Sequence, residues 1–409
     1  MKRNLHLNPW GGYNLMKSEQ REKLSELFRY LNENNDFYRE LIEKLHITLN
    51  GDVEYSLRKF PILHKKDIRD NYDTYFSHTN EIKIDEFTSG SSGVPLRCRK
   101  TRHERLMATA NIWKQRYMHD SKVTLDNYIS FHDLRTYRQI GNFFLYEPQN
   151  MKKCFEKMCS MEPRWISGPI SAIEKYARLI EEGYISYRNK SIRFVENMGE
   201  FADREQREYV EKVLQCKTIN HYGCIESWCI AYECPHGSMH VQDSLMYAEV
   251  LPSNAWMEEN AGELVITSLY NKLMPLIRYN THDLGTVDFG TCKCGKTSQI
   301  IKLLGGRTTD LIQNSKNIPG ELFFKRGVYK FIRKGFDCIE GFKVEQTTPK
   351  DFIFYAAMKG DFKEAVTNFF TEYVQNGLGA DIRIQFQFVD SLPPLPSGKT
   401  KIFYSLINA

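Results

Sequence analysis

The chain has 409 residues, of which 41% are hydrophobic and 26% charged, and its formal net charge is +5. A chain of this length exceeds one compact core, so two or three folding units are expected in an ordinary globular protein. The small net charge, with no dense Lys/Arg block, argues against an extended nucleic-acid surface.

The hydropathy pattern contains no run of about 18 apolar residues, so no transmembrane helix is expected. The N-terminal residues Met1 to His6 lack the apolar centre of a signal peptide. We therefore expect a cytoplasmic protein with no membrane partner. In that compartment the ten cysteines are not expected to form a disulfide framework.

The first predicted elements are two packing helices, because apolar residues recur every three or four positions between Leu24 and Leu45. Residues 84–100 follow as a strand, a Gly/Ser loop and a second strand. Thr101 to Glu104 form a capping-box pattern, which predicts that a helix begins there. Three residues are expected on one side of that helix: Leu106, Trp113 and Tyr117.

The middle of the chain alternates short apolar runs with helices, which indicates layered α/β structure. The predicted helices are 170–182, 204–214 and 362–375. The predicted strands are 192–195, 217–220, 247–251, 263–268, 352–358 and 382–389. We therefore predict an α/β protein with a large N-terminal α/β domain of layered sheets and helices, residues 1–309. A small mobile α+β C-terminal domain, residues 310–409, would follow it.

The Gly/Ser loop packs two glycines and four hydroxyl residues into six positions: Thr88, Ser89, Gly90, Ser91, Ser92 and Gly93. Glycines let successive backbone N–H groups turn toward one anion, and hydroxyl groups add donors. The loop is not a nucleotidase P-loop, since no Lys-Ser/Thr follows its second glycine. Taken alone, a flexible hairpin turn explains it equally well.

Five later segments each contain a short motif of charged residues, glycine or both: Asn197 to Glu200, Tyr222 to Glu226, Met274 to Asp283, Gly305 to Asp310 and Pro396 to Lys401. In this order and spacing, the segments resemble the adenylate-forming superfamily of acyl-CoA synthetases and peptide-synthetase adenylation domains. Within it, the phenylacetate–CoA ligase-like branch, which includes relatives from capsule-biosynthesis clusters, is the most similar. The resemblance covers nearly the whole chain and implies ATP and Mg²⁺ as cofactors.

The resemblance implies a nucleotide-binding role for several residues. Gly199 and Glu200 stand in the adenine-contacting turn, and Tyr222 and Gly223 would lie against the adenine and the α-phosphate. Asp283 would accept hydrogen bonds from both ribose hydroxyls, for which a carboxylate with two acceptor oxygens is suited. Surface charges and a buried structural Asp are the alternative explanations of the acidic residues.

The catalytic residues that the resemblance implies are Glu226, as the Mg²⁺ ligand, and Lys399, which would enter the active site from the C-terminal loop. A lysine there stabilises the charge that shifts toward pyrophosphate. Lys401 is the second choice for this role. Arg307 would contact ribose or phosphate, and Asp310 would be the hinge between domains; a surface pair in a linker is the alternative.

A second motif pairs Cys234 to His240 with Cys292-Lys293-Cys294-Gly295, and two such clusters suit tetrahedral Zn²⁺. Similar Cys/His clusters occur in the phenylacetate–CoA ligase-like branch. The predicted ligands are Cys234, His240, Cys292 and Cys294, with His236 as the alternative histidine. Four protein ligands leave no open position, so the metal would be structural. Reduced thiols without a metal remain the alternative.

Four positions depart from the superfamily pattern. Ile225 replaces a hydroxyl residue before Glu226, and His282 replaces a glycine before Asp283, which has a cost if φ is positive there. Leu96 stands where a lysine is common. Residues 314–319 lack the glycine expected after the hinge, which places thioester formation with CoA in question.

The predicted function is an ATP-dependent ligase that converts a carboxylic acid to an acyl-adenylate, releases pyrophosphate and transfers the acyl group. The acceptor is CoA, a carrier-protein thiol or an amine, and a homodimer is possible. Aromatic residues between 125 and 200 favour an aryl or hydrophobic acid, although an aromatic core explains them equally well: Tyr128, Phe131, Phe143, Phe144 and Tyr146. The alternative is a degenerate relative that binds nucleotide or acyl-adenylate without turnover, as a partner protein.

Overall fold

The computed structural model describes residues 16–88, 95–252, 260–307, 310–314, 318–392 and 401–407. The helices in these ranges are α1 (Ser18–Asn34), α2 (Asp36–Lys44), α3 (Val53–Lys59), α4 (Lys65–Asp70), α5 (Tyr72–Tyr75), α6 (Arg102–His119), α7 (Leu134–Gln139), α8 (Pro148–Cys159), α9 (Ile170–Glu181), α10 (Arg204–Leu214), α11 (Gly320–Arg333) and α12 (Lys363–Leu378).

The strands in the same ranges are β1 (Lys83–Phe87), β2 (Arg97–Thr101), β3 (Tyr128–Ser130), β4 (Trp165–Gly168), β5 (Phe194–Met198), β6 (Lys217–Tyr222), β7 (Ala231–Glu233), β8 (Met239–Val241), β9 (Met246–Pro252), β10 (Gly262–Ser268), β11 (Tyr279–Thr291), β12 (Thr297–Arg307), β13 (Ile339–Thr348), β14 (Asp351–Met358), β15 (Arg383–Phe388) and β16 (Phe403–Ser405).

The large sheet has ten strands in the order β3-β4-β5-β6-β7-β8-β12-β11-β10-β9. Its first four strands run parallel to one another, and the remaining pairs, beginning with β6 and β7, are antiparallel. Helices α8, α9 and α10 connect the parallel strands, as parallel pairing requires. The carboxyl ends of β5 and β6 therefore lie at one edge, where ligands bind in open α/β sheets.

The two N-terminal helices are confirmed, because α1 buries Leu24, Leu27, Phe28 and Leu31. The backbone N–H of Tyr38 donates to the side chain of Asn35, which caps α2. The β1–β2 hairpin and the capping box of α6 are also confirmed.

The side of α6 that carries Leu106, Trp113 and Tyr117 is not its buried face. Leu106 and Tyr117 are 58% and 51% exposed. The helix instead buries Ala108, Ile112 and Arg116. The apolar residues do not mark the inner face, because a buried arginine with an ionic partner occupies that face.

The strand predicted at 192–195 is shifted, since β5 runs from Phe194 to Met198. Its later residues include Glu196 and Asn197, which are polar and buried. The apolar pattern missed them because polar residues are buried when other side chains bond them. β6 likewise continues past the predicted end to Tyr222, so both strands reach the edge of the sheet where the candidate site lies.

The C-terminal part contains a four-stranded sheet in the order β15-β14-β13-β16, covered by α11 and α12. Its core is rich in phenylalanine, and the rings of Phe354 and Phe370 pack at a tilt of 38° with centroids 4.5 Å apart. The predicted fold class, a large N-terminal α/β part and a small C-terminal α+β part, is confirmed. The boundary at Asp310 stays a prediction. None of the helices in the described ranges is both long and apolar enough to span a bilayer.

Candidate active site

A cavity of about 510 Å³ lies at the carboxyl ends of β5 and β6. It is lined by all the predicted nucleotide and magnesium residues that the structure describes: Thr88, Gly199, Glu200, Tyr222, Gly223, Glu226, Asp283 and Arg307. Ser89, Gly90, Ser91, Ser92, Gly93 and Lys399 lie outside the described residues. The fold thus brings together segments that are far apart in sequence.

Asp283 lies at the wall of this cavity between two donors. The hydroxyl of Tyr222 donates to Asp283 Oδ2 at 2.9 Å, and Arg307 Nε donates to Oδ1 at 3.1 Å. Burial and the neighbouring carboxylate raise the pKa of Tyr222 well above its ordinary value, so the hydroxyl stays a donor. Asp283 is 24% exposed at its side chain and keeps acceptor capacity for a ligand.

Glu226 is 2% exposed and holds a cation already. Lys65 Nζ lies 2.9 Å from Glu226 Oε1, and the hydroxyl of Tyr279 donates to the same oxygen at 2.8 Å. Burial would raise the pKa of Glu226, but the pairing with Lys65 outweighs it and lowers the pKa, so the carboxylate is ionised. An ionised carboxylate is the donor that Mg²⁺ prefers.

The glycines near the cavity have backbone positions that a side chain would disturb. A Cβ on Gly223 would lie 1.6 Å from the carbonyl oxygen of Trp228, so the turn after β6 requires glycine. Gly199 has φ of +79°, in the left-handed region that favours glycine. The carboxylate of Glu200 accepts from the backbone N–H and hydroxyl of Ser171, at 3.1 and 2.9 Å, and so covers the N-terminus of α9.

Thr88 and Leu96 flank the Gly/Ser loop and are joined by two hydrogen bonds. The N–H of Thr88 donates to the Leu96 carbonyl at 3.0 Å, and the N–H of Leu96 donates to Thr88 Oγ1 at 2.8 Å. Thr88 is buried and lines the cavity, and its hydroxyl holds the base of the loop together by accepting from Leu96.

Two cations reach the cavity from the C-terminal part. Lys401 Nζ lies 3.0 Å from Asp310 Oδ1, and Lys325 Nζ lies 2.8 Å from Glu321 Oε1. Lys401 was the second choice for the catalytic lysine, and the structure gives it an ionic partner at the predicted hinge.

His282 has φ of +61°, so a backbone conformation that favours glycine is occupied by a larger residue. Its ring stacks on His64 with centroids 5.3 Å apart, and Nδ1 lies 3.2 Å from Glu263 Oε1. These contacts offset part of the cost of the backbone conformation. Ile225 is 40% exposed, and its carbonyl accepts from Lys100 Nζ at 2.6 Å.

The four predicted zinc ligands converge. One ligand atom from each of Cys234, His240, Cys292 and Cys294 lies within 4.8 Å of the others. His236 is exposed and outside this group. Ser298 Oγ lies 2.6 Å from His240 Nδ1, which leaves Nε2 directed at Cys294 Sγ, 3.3 Å away. A sulfur-rich set with one oriented imidazole fits tetrahedral Zn²⁺.

The aromatic cluster does not line the cavity in the part of the chain that is described. Phe131 and Phe143 stack with centroids 4.1 Å apart, and both are buried in a core with Tyr176. Packing accounts for these two rings, and the preference for an aryl or hydrophobic acid stays a prediction.

No protein-family model matches the chain. Over 401 residues it is 21% identical to Protein CapK of Staphylococcus aureus, covering 93% of this chain and 87% of CapK. Over 323 residues it is 24% identical to the phenylacetate–coenzyme A ligase of Thermus thermophilus, covering 73% and 71% of the two chains.

Solved structures of 2-hydroxyisobutyryl-CoA ligase share the fold. In the postadenylation state the TM-score is 0.73 at 17% identity, over 96% of this chain and 90% of that chain. The chain is therefore similar in sequence to these two relatives over most of its length and has the fold of the adenylate-forming CoA ligases. The open conformation of the same ligase gives a TM-score of 0.57.

The cavity lies between the large sheet and the C-terminal part, which supplies Glu321, Lys325 and Lys401 to its lining. Sequence reasoning missed Lys65, Tyr279, Lys325 and His221, which line the cavity or bond its buried carboxylate. Lys65 begins a six-residue helix with no motif around it. The sequence offered one indirect indication of Lys65, which is that a buried carboxylate such as Glu226 requires a partner.

Proposed function

We propose that the protein activates a carboxylic acid with ATP, forming an acyl-adenylate and pyrophosphate, and then transfers the acyl group to CoA or another thiol or amine. The observation that carries this proposal is the convergence of Tyr222, Glu226, Asp283 and Arg307 on one cavity. Two structures of 2-hydroxyisobutyryl-CoA ligase that match this chain with a TM-score of 0.73 each hold an acyl-AMP.

In this proposal the ribose hydroxyls of ATP donate to Asp283, and Tyr222 and Arg307 hold that carboxylate in place. Glu226 would hold Mg²⁺, which supplies positive charge to the phosphate oxygens when it is bound. Lys65 would move from Glu226 to the phosphates, because its Nζ lies only 2.9 Å from the carboxylate that the metal needs.

The acid carboxylate would attack the α-phosphorus, forming the acyl–phosphate bond while the bond to pyrophosphate breaks. Positioning and preorganised charge supply most of the rate in such transfers. We assign the stabilisation of the departing charge to Lys399 from the motif resemblance. Lys401 is held by Asp310 instead.

Transfer of the acyl group would follow rotation of residues 310–409 about Asp310. A solved 2-hydroxyisobutyryl-CoA ligase holds its acyl-AMP together with CoA in a thioesterification state, which supports CoA as the first acceptor to test. A carrier-protein thiol and an amine are the other two acceptors.

The test is the acid-dependent exchange of labelled pyrophosphate into ATP across a panel of carboxylic acids. We expect exchange with at least one acid, and loss of exchange in Lys399→Ala but not in Lys350→Ala, a surface lysine paired with Asp381 in the C-terminal part. ATP binding without exchange for any acid would contradict the proposal. It would favour the degenerate relative that Ile225 and His282 suggest.

We also propose that Cys234, His240, Cys292 and Cys294 bind a structural Zn²⁺. The site joins the β7–β8 turn to the β11–β12 turn, so the metal would hold two hairpins together. Elemental analysis of protein purified without added metal tests it, and protein that contains no zinc would contradict it.

A further inference from the structure

A buried ionic network lies on the face of the large sheet that α6 covers. Arg116 donates to both oxygens of Glu196, at 2.7 and 3.0 Å, and to the hydroxyl of Tyr128 at 2.7 Å. His221 Nδ1 lies 3.0 Å from Glu196 Oε1. Glu196 is fully buried and the Arg116 side chain is 8% exposed. Burying these charges is costly unless every group is paired.

One polar atom of the network is left without a partner. His221 Nε2 makes no hydrogen bond to any described residue, although the side chain is only 7% exposed. Burial alone would lower the pKa of His221, but the Cys229 thiol beside the ring raises it, and this thiol also donates to the carbonyl of Ala231 at 3.8 Å. A buried polar atom without a partner costs about 1–3 kcal/mol, so a native site that keeps one needs a reason.

A second orphan lies beside the first. Tyr232 pairs with His221 across β6 and β7, their rings are 5.5 Å apart, and the Tyr232 hydroxyl also lacks a partner among the described residues. Of the two residues only His221 lines the cavity, so a ligand bound in the cavity could supply its missing bond.

The position of His221 connects this network to the proposed reaction. His221 lines the cavity, and the next residue, Tyr222, bonds to Asp283 from the opposite face of β6. The nucleotide would therefore lie on the Tyr222 side. The acid must reach the α-phosphate near the end of this strand, so the remainder of the acid would extend toward His221.

We propose that the acid carries a hydroxyl group that bonds to His221 Nε2, so that the substrate is a hydroxy acid rather than an acid without a hydroxyl group. This inference rests on the proposed function. The ionised Glu196 requires a proton on Nδ1, which leaves Nε2 a donor or an acceptor according to the charge of the ring. A hydroxyl group both donates and accepts, so it fits either form. Arg116 and Glu196 are positioning residues.

The experiment compares pyrophosphate exchange for acids paired with their deoxy counterparts: lactate and propionate, 3-hydroxybutyrate and butyrate, 4-hydroxyphenylacetate and phenylacetate, gluconate and hexanoate. We expect the hydroxylated acid of at least one pair to have kcat/KM higher by about tenfold or more. In His221→Phe, which keeps the ring volume, this ratio should fall to about threefold or less.

The matched control is His119→Phe. His119 is also an imidazole near Tyr232, with ring centroids 6.1 Å apart, but its Nε2 bonds to the Glu233 carbonyl and it does not line the cavity. The hydroxyl preference should survive in this variant. ATP binding by both variants serves as the check of folding.

A hydroxyl preference that persists unchanged in His221→Phe would overturn the inference, as would a preference for the deoxy acid in every pair. In both cases exchange itself would still support acid activation. No exchange with any acid would overturn both proposals together. If His221→Phe does not bind ATP, His221→Gln replaces it, and an unchanged ratio there would be decisive against the inference.

Discussion

The replacement Asp283→Asn tests the nucleotide site without knowledge of the acid. It keeps the size of the side chain and removes its charge. In the structure both oxygens of Asp283 already accept from protein donors, Tyr222 and Arg307, at 2.9 and 3.1 Å. These donors fix the carboxylate plane, so two ribose hydroxyls could donate to the remaining lone pairs.

The magnitude follows from the two lost charge-assisted bonds. A hydrogen bond to a charged group contributes about 1.5–3 kcal/mol. The asparagine amide keeps one neutral oxygen as an acceptor, so we expect a loss of about 2–3 kcal/mol. At 1.4 kcal/mol per tenfold change, ATP should bind about 30- to 150-fold more weakly.

The assay is calorimetric titration with ATP, 2′-deoxy-ATP and 3′-deoxy-ATP. The wild-type protein should discriminate against each deoxynucleotide by about tenfold or more, and Asp283→Asn should remove most of that discrimination. Asp288→Asn is the control, because Asp288 is an exposed carboxylate on the same strand and does not line the cavity. Discrimination that is the same in wild type and Asp283→Asn would refute the assignment of Asp283 to the ribose.

Three further predictions follow from buried charges and the Cys/His cluster. Lys65→Met should lower the exchange rate by about tenfold or more, whereas the exposed Lys66→Met should not, as steady-state kinetics would measure. Cys294→Ser should lose the zinc that His236→Ala retains, as elemental analysis would measure. Burial alone would raise the pKa of Glu196, but Arg116 lowers it, so the stability from this pair is present at neutral pH and is lost as the pH falls below the ordinary value of 4.5. The free energy of unfolding in urea should therefore fall less steeply at acid pH in Glu196→Gln than in the wild-type protein.

The sequence alone predicted the bounds of those helices and strands whose hydrophobic periodicity and capping residues agree. The capping box at Thr101 predicted the start of α6, and the alternation before Val389 predicted β15 to within one residue at each end. Motif order predicted the residues that line the cavity. These features are local or carried by short segments, so pattern alone is enough to find them.

The sequence was insufficient where long-range pairing overrides the local pattern. The inner face of α6 is set by Arg116, whose partner Glu196 lies 80 residues away on β5. The same pair explains why β5 continues to Met198, beyond the predicted end at residue 195, because a buried polar residue in the strand is stable only with that partner. Lys65 was missed for a similar reason, since its role depends on Glu226 and not on its neighbours.

The contacts between the two parts of the chain bear on whether one protein could carry out both proposed steps. Arg178 pairs with Asp337 at 3.0 Å, Lys359 with Glu182 at 3.0 Å, and the Tyr329 hydroxyl donates to Glu174 at 3.1 Å. Asp337, Lys359 and Glu182 are 47–57% exposed at their side chains, and exposed pairs contribute about 0–1 kcal/mol each. A rotation about the proposed hinge would therefore break two weak ionic contacts and the hydrogen bond of Tyr329 to Glu174. It would leave the network of Arg116, Glu196 and His221 intact, because all three residues lie on elements of the large α/β part.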